Sequence, residues 1–193
     1  MIELPSSPAP NGMEPVVLDP GLIQRGASST RVDRLGGRYR IGFSYPPMPA
    51  DKARTFTGRL TRAKREGVKV TLPLIVPQGS PGAVVVDGED QAGTTLNVRG
   101  MNVGYPAKEG FWLTIVDANG QGYLHQLTET VRADGAGEAT LTVEPPLREF
   151  FADGATVEMG APWIEGFVDG EDWGWSVPVN RLVSVAFTVE EFA

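Results

Sequence analysis

The sequence predicts a mainly β protein with one amphipathic α-helix, in which a β-sandwich domain carries an inserted small antiparallel β-barrel or sandwich module. The 193 residues include 24 Gly and 16 Pro, about a fifth of the chain, which indicates many short strands and turns. Alternating apolar and polar residues recur along most of the chain, as expected for half-buried strands. Apolar residues at convincing helical spacing occur in one segment, residues 51–66.

The N-terminal region predicts an arm followed by a strand. The first 20 residues contain five prolines and little periodicity, so we expect an extended arm that becomes ordered by lying on another surface. In the segment 38–45, Tyr39, Ile41 and Phe43 alternate with polar residues or glycine, which is typical of a half-buried strand. This strand should end at the following Pro-Pro pair, because proline cannot donate a hydrogen bond to a neighbouring strand.

Residues 51–66 combine the apolar spacing of a helix with a basic polar face. Asp51 lies near the predicted N-terminus of the helix, and Gly67 supplies its end. A strand pattern follows at 68–74. Four apolar residues should form the buried stripe of the helix: Ala53, Phe56, Leu60 and Ala63.

The middle of the chain predicts a separate antiparallel β module. Residues 77–82 are rich in Pro and Gly, and we interpret them as a hinge or domain boundary. Short strand patterns then alternate with Asp-Gly and Asn-Gly turns, as in small barrels and sandwiches. Six strands are predicted there: 83–86, 94–99, 111–117, 123–131, 138–143 and 155–159.

After Gly160-Ala161-Pro162 the strand patterns resume at 173–180 and 182–189. Neither end of the chain alone supplies enough strands to close a sheet around the helix. The sequence therefore predicts three parts: an N-terminal arm at 1–20, a discontinuous domain at 21–80 plus 162–193, and an inserted β module at 82–161.

Composition excludes several classes of site. The absence of cysteine rules out disulfides, thiolate zinc sites and cysteine nucleophiles, and His125 is the sole histidine. The net charge of −7 opposes general binding to nucleic acid phosphates. No apolar run approaches the roughly 20 residues that span a bilayer, and the N-terminus lacks the pattern of a signal peptide, so we expect synthesis in the cytoplasm and no membrane insertion.

Two polar features have both a functional and an ordinary interpretation. The acidic residues Glu165, Asp169, Glu171 and Asp172 provide enough oxygens for a calcium site or a glycosidase pair, but the ligand spacing of an EF-hand is absent and a hairpin turn with solvated carboxylates explains them better. His125 lies in a predicted strand without a nucleophile elbow, which favours a packed or surface histidine. We therefore predict no catalytic residue, no metal and no cofactor.

Charge and aromatic residues indicate an assembly surface instead. The helix segment carries six basic against two acidic residues, whereas residues 144–193 carry ten acidic against two basic residues. Complementary patches at different places on one chain favour a heterologous contact. Such contacts close into a ring when the rotation that relates neighbouring copies divides a full turn. Six residues are predicted to contribute to that interface: Arg54, Arg59, Arg62, Arg65, Trp173 and Trp175. The two tryptophans alternatively provide a stacking platform for sugar rings or part of the core.

The order of these features resembles the minor tail proteins of long-tailed bacteriophages and prophages, and in particular their distal tail proteins. Six stretches carry the resemblance: RLGGRYRIGFSYPPMP, REGVKVTLPL, AGTTLNVRG, GYLHQLTE, PWIEGF and VSVAFTVEEF. In that family an N-terminal belt domain forms a hexameric ring at the end of the tail tube and carries an inserted or appended β module that faces outward.

The resemblance implies that 21–80 plus 162–193 is a ring-forming belt domain of a structural, non-enzymatic virion protein. Its location would be the tail tip, at the baseplate. Its partners would be further copies of the chain together with the tail-tube, hub and tape-measure proteins. Two alternatives stay open: a carbohydrate-binding module for adsorption to the host surface, and a tail-tube subunit.

Overall fold

The computed structural model describes residues 1–25, 29–32, 34, 36–170, 173–176, 179 and 182–192. Within these residues the chain forms one α-helix, α1 (Ala50–Glu66), and eighteen strands. The strands in chain order are β1 (Ile2–Glu3), β2 (Gly12–Leu18), β3 (Leu22–Gln24), β4 (Thr30–Val32), β5 (Arg38–Ser44), β6 (Met48–Pro49), β7 (Val68–Thr71), β8 (Gly82–Val86), β9 (Gly93–Met101), β10 (Pro106–Ala107), β11 (Trp112–Val116), β12 (Gly122–Leu127), β13 (Val131–Arg132), β14 (Ala139–Leu147), β15 (Val157–Glu158), β16 (Trp163–Val168), β17 (Leu182–Val183) and β18 (Ala186–Glu191). The predicted fold class, mainly β with one helix, is confirmed.

The chain divides into two compact units. The first unit comprises Met1–Val16, Tyr39–Ile75 and Trp163–Phe192, and the second comprises Val17–Arg38 and Val76–Pro162. The chain therefore leaves the first unit after Ile75, before the Pro/Gly-rich stretch that the sequence indicated as the boundary. Residues 21–38, which the sequence analysis assigned to the discontinuous domain, group with the second unit.

The first unit is built on one six-stranded sheet in the order β1-β7-β16-β18-β5-β2. Strands from both ends of the chain meet at its centre, where β18 pairs antiparallel with β16 and with β5. The predicted N-terminal arm supplies both edges of this sheet, because β1 pairs in parallel with β7 and β2 lies beyond β5. Parts of the proline-rich start of the chain are thus incorporated in the sheet as its two edge strands, and an edge strand is where proline is tolerated.

Helix α1 covers the apolar face of this sheet. Its buried side chains include the predicted stripe, and the Phe56 ring packs edge-on against Tyr45 with ring centroids 4.5 Å apart. The N-cap position is Pro49, and Asp51 lies in the first turn, where its charge favours the positive end of the helix dipole. Gly67 ends the helix with φ of 76° and donates its N–H to the carbonyl of Ala63.

The second unit contains a nearly closed six-stranded barrel. Its strands follow the order β15-β11-β12-β14-β9-β8, and a bridge between Val85 and Thr156 joins the two edges. The N–H of Val86 donates to the carbonyl of Ala155 along the same seam. Alternate side chains of the long strands fill the interior, among them Leu96, Val98, Leu113, Ile115, Leu141 and Val143.

The C-terminal segment departs from the predicted strands. The pattern at 182–189 is divided between β17, which pairs with β6, and β18, which pairs with β5. Residues 173–176 are not in a strand, although the alternation of Trp173 and Trp175 with Gly174 and Ser176 predicted one. The remainder of that predicted strand, at 177, 178 and 180, lies outside the described residues.

Candidate assembly surface

The predicted basic residues lie on the exposed surface of α1. Lys52 and Arg54, near the start of the helix, are exposed, and their charged groups have no partner among the residues that the structure describes. Arg59 donates a hydrogen bond of 2.8 Å to the main-chain carbonyl of Glu3 on β1. The N-terminal half of the helix therefore presents two cations that no described group neutralises.

At the C-terminal end of α1, two arginines share one carboxylate. Arg62 and Arg65 lie 2.9 Å and 2.8 Å from different oxygens of Glu66. The hydrogen bonds from Arg65 and Arg62 lower the pKa of Glu66. All three side chains reach solvent, so the contacts order the surface and add little stability. One carboxylate against two guanidinium groups leaves this end of the helix with a net positive charge.

The two predicted tryptophans lie side by side after β16. The ring centroids of Trp173 and Trp175 are 5.1 Å apart, and the Nε1–H of Trp173 donates to the carbonyl of Ala186. Trp173 is half-buried, whereas Trp175 is 46% exposed. The structure thus brings the two rings together, with Trp175 available at the surface. Lys64 at the end of α1 donates to the carbonyl of Gly170 in the same segment.

The acidic residues of the C-terminal region do not form a described metal site. Glu165 is buried and accepts a hydrogen bond of 3.1 Å from Trp163 Nε1, while Asp169 lies 3.5 Å from Arg40. Glu171 and Asp172 lie outside the described residues. Across the part of the chain that the structure describes, no group of three acidic, histidine or cysteine side chains is placed to hold a metal ion.

His125 is packed in the interior of the barrel. It pairs with Leu113 across β11 and β12, and its Nδ1–H donates to the carbonyl of Pro145 at 2.8 Å. Its Nε2 is buried without a hydrogen-bond partner in the described structure. Burial lowers the pKa of His125 to about 4, and the nearby charge of Arg148 acts in the same direction. The imidazole is therefore neutral near pH 7.

A buried glutamine near the start of the barrel segment was not predicted from the sequence. Gln78 is only 4% exposed. Its Nε2 donates to the carbonyls of Trp112 and Met159, and its Oε1 accepts the N–H of Trp112. Tyr105 donates its hydroxyl hydrogen to the main-chain carbonyl of Gln78. The stretch that the sequence indicates as a hinge or domain boundary is therefore anchored to the barrel, and no local sequence signal distinguishes this glutamine from a loop residue.

A second missed feature is an ion cluster on the barrel surface. The guanidinium of Arg99 bonds to the carboxylates of both Asp87 and Asp153, and Asp153 also accepts the N–H of Gly88. The hydrogen bond from Arg99 contributes most to lowering the pKa of Asp153 to about 2. The cluster holds together two loops that are 65 residues apart in sequence.

Comparison of the chain with protein-family models and with curated proteins finds no match. Within the described residues, no helix has the length and apolar character that crossing a membrane requires.

Proposed function

We propose that this chain is a structural subunit of a bacteriophage tail tip, a distal tail protein whose first unit forms a ring that joins the tail tube to the baseplate hub. One observation carries the proposal. The first unit gathers strands from both ends of the chain into one sheet covered by α1, and the barrel is built mainly from the segment between them. This is the arrangement of a belt domain with an inserted β module, which the resemblance to distal tail proteins implies.

The charge on α1 supports a heterologous contact between copies. The helix buries its apolar stripe against its own sheet, so its basic surface is left for another partner. Lys52 and Arg54 form no ion pair with a described carboxylate, and the chain as a whole is acidic. An acidic surface of a second copy fits this helix, and a contact between unlike patches closes into a ring when the rotation permits.

A direct test is negative-stain imaging of the purified chain, together with labelling of tailed particles by an antibody against the barrel. A ring with a lumen in the purified protein, and label at the tip alone, are the expected results. Label along the whole tail would identify a tail-tube subunit instead. Absence of the chain from tailed particles would refute both assignments.

Charge reversal tests the basic surface itself. Replacement of Arg54 and Arg62 by Glu should weaken ring formation while leaving the monomer folded, because exposed helix positions accept Glu readily. Raised salt should mimic part of the loss. Lys108→Glu is the matched control, since this exposed lysine lies outside α1. Normal assembly of the double variant at low and high salt would show that the basic surface is only solvated.

The exposed ring of Trp175 supports a second candidate, a carbohydrate-binding module for adsorption to the host surface. A half-exposed indole beside a second indole provides the apolar face on which a sugar ring stacks. Binding of host polysaccharide by the purified chain, lost in Trp175→Ala and retained in Lys108→Glu, would establish this function. Retention of binding in Trp175→Ala would exclude this residue as the platform.

A further inference from the structure

The hairpin formed by β3 and β4 is a two-stranded sheet that no other strand joins among the described residues. Its register pairs Leu22 with Val32 and Ile23 with Arg31. All six strand residues are exposed, and the three aliphatic side chains are each more than half exposed. Because directly paired residues share a face, Leu22 and Val32 lie on one face and Ile23 on the other. Both faces of the hairpin are therefore partly apolar and open to solvent.

A bare hairpin of this size is at best marginally stable in water, since three or more strands or a covering element are needed to bury an apolar face. Exposed aliphatic residues concentrated on one short element are typical of an interaction surface, whereas isolated ones are ordinary. We therefore expect a partner to cover the aliphatic residues of the hairpin.

Charge identifies the kind of partner. Residues 17–38, which contain the hairpin, hold four arginines and two aspartates. Three of the four arginines flank the apolar residues: Arg25 follows β3, Arg31 lies in β4 and forms an ion pair with Asp19, and Arg34 follows β4. The partner surface should therefore combine an apolar centre with surrounding carboxylates.

The barrel of the same chain carries such a surface. Residues 76–162 hold twelve acidic and four basic residues. At one end of the barrel the loops after β8 and β14 are adjacent, because Gly88 N–H bonds to Asp153 and Gly93 pairs with Leu147. These loops expose Phe150, which is 72% exposed. Three exposed carboxylates without a described partner lie in the same loops: Glu89, Asp90 and Glu149.

We infer that the β3–β4 hairpin of one copy docks on the Phe150 end of the barrel of a second copy. The aliphatic residues of the hairpin cover Phe150, and Arg25 and Arg34 face the carboxylates around it. The contact is separate from the α1 surface and requires no other tail component, so it predicts self-association of the purified full-length chain.

Sedimentation velocity of the full chain over a micromolar concentration range tests the contact. The wild-type mass should rise with concentration. Leu22→Asp combined with Ile23→Asp should raise the dissociation constant by about tenfold or more without changing the melting temperature. Val103→Asp is the control, because it replaces an exposed aliphatic residue outside both surfaces by the same acidic residue. A wild-type chain that stays monomeric, or a double variant that associates like the control, would overturn the inference.

A charge exchange distinguishes this contact from nonspecific association. Arg25→Glu/Arg34→Glu and Glu89→Lys/Glu149→Lys should each self-associate more weakly than the wild type. A mixture of the two variants should associate more strongly than either alone, since the reversed charges are again complementary. No recovery in the mixture would overturn the inference. A defect confined to the α1 variants would bear on the proposed ring and leave the hairpin contact standing.

Discussion

The buried side chain of Gln78 should be one of the most important single contributors to the stability of the barrel. It bonds to both main-chain groups of Trp112 at the edge of β11, beyond the two residues that pair with β15. Its Nε2 also donates a hydrogen bond of 2.6 Å to the carbonyl of Met159. One side chain thus continues the strand pairing where the backbone partner has ended.

Gln78→Ala removes three hydrogen bonds from a site with almost no access to water. A buried hydrogen bond contributes about 1 kcal/mol net, so the loss should be about 3 kcal/mol in the free energy of unfolding of the barrel. Gln78→Glu should cost more at pH 7, because a carboxylate there faces two carbonyl oxygens that it cannot serve as a donor. Part of that loss should return as the pH falls and the carboxyl group protonates.

Hydrogen exchange of barrel peptides, measured by mass spectrometry, reports the stability of this unit separately from the other. Gln91→Ala is the matched control. The side chain of Gln91 donates to three main-chain carbonyls and accepts the N–H of Asn97, but at a site that water reaches, so Gln91→Ala should cost less than about 1 kcal/mol. Equal exchange in the two alanine variants would show that burial does not strengthen the hydrogen bonds of Gln78.

Three further predictions concern the two cores. The pKa of His125 is about 4 in the folded state and about 6.5 in the unfolded state, so the unfolded state binds more protons between these pH values. The stability that is present above pH 6.5 should therefore fall by about 3 kcal/mol as the pH drops to 4. Urea unfolding should show this slope, and His125→Gln should lack it; equal slopes would contradict the assignment. Phe56→Ala should lower the free energy of unfolding, measured with urea, by about 3–5 kcal/mol. Arg54→Ala, at an exposed position of the same helix, should change it by less than about 0.5 kcal/mol. A small loss for Phe56→Ala would mean that the helix packs loosely on the sheet. Gly166→Ala places a Cβ against the backbone of β18 and should cost at least about 2 kcal/mol in the free energy of unfolding. Gly58→Ala, with open space around the added Cβ, should instead raise the melting temperature. A neutral Gly166→Ala would show that β16 and β18 can move apart.

Local patterns in the sequence were sufficient for the helix and most strands. The predicted helix at 51–66 and the strand at 38–45 correspond to α1 and β5 within a residue, because apolar spacing and the terminating Gly67 and Pro46 act locally. Five of the predicted barrel strands overlap β8, β9, β11, β12 and β14, and the last overlaps β15. The fold class followed from these elements.

Contacts between distant segments could not be predicted in the same way. Gln78 meets residues 34 and 81 positions away, and the arm that contains β1 meets β7, so neither has a signature in its own neighbourhood. The run at 182–189, which is rich in β-branched residues, gave no sign that Ser184 and Val185 separate β17 from β18, because the division depends on which strands each half pairs with. The interface residues remain a prediction, since exposure alone does not identify a partner.

The pairing of Thr71 with Trp163 makes exchange of the inserted barrel during evolution compatible with the sheet of the first unit. These residues lie near the last and first positions at which the first unit is interrupted, and they are neighbours across one pair of strands, roughly 5 Å apart. Any folded module whose own ends lie close together could be spliced in between them without stretching the sheet. Recombination could thus exchange the barrel for a larger or differently specific one, while the sheet and α1 keep the same sequence and the same neighbours.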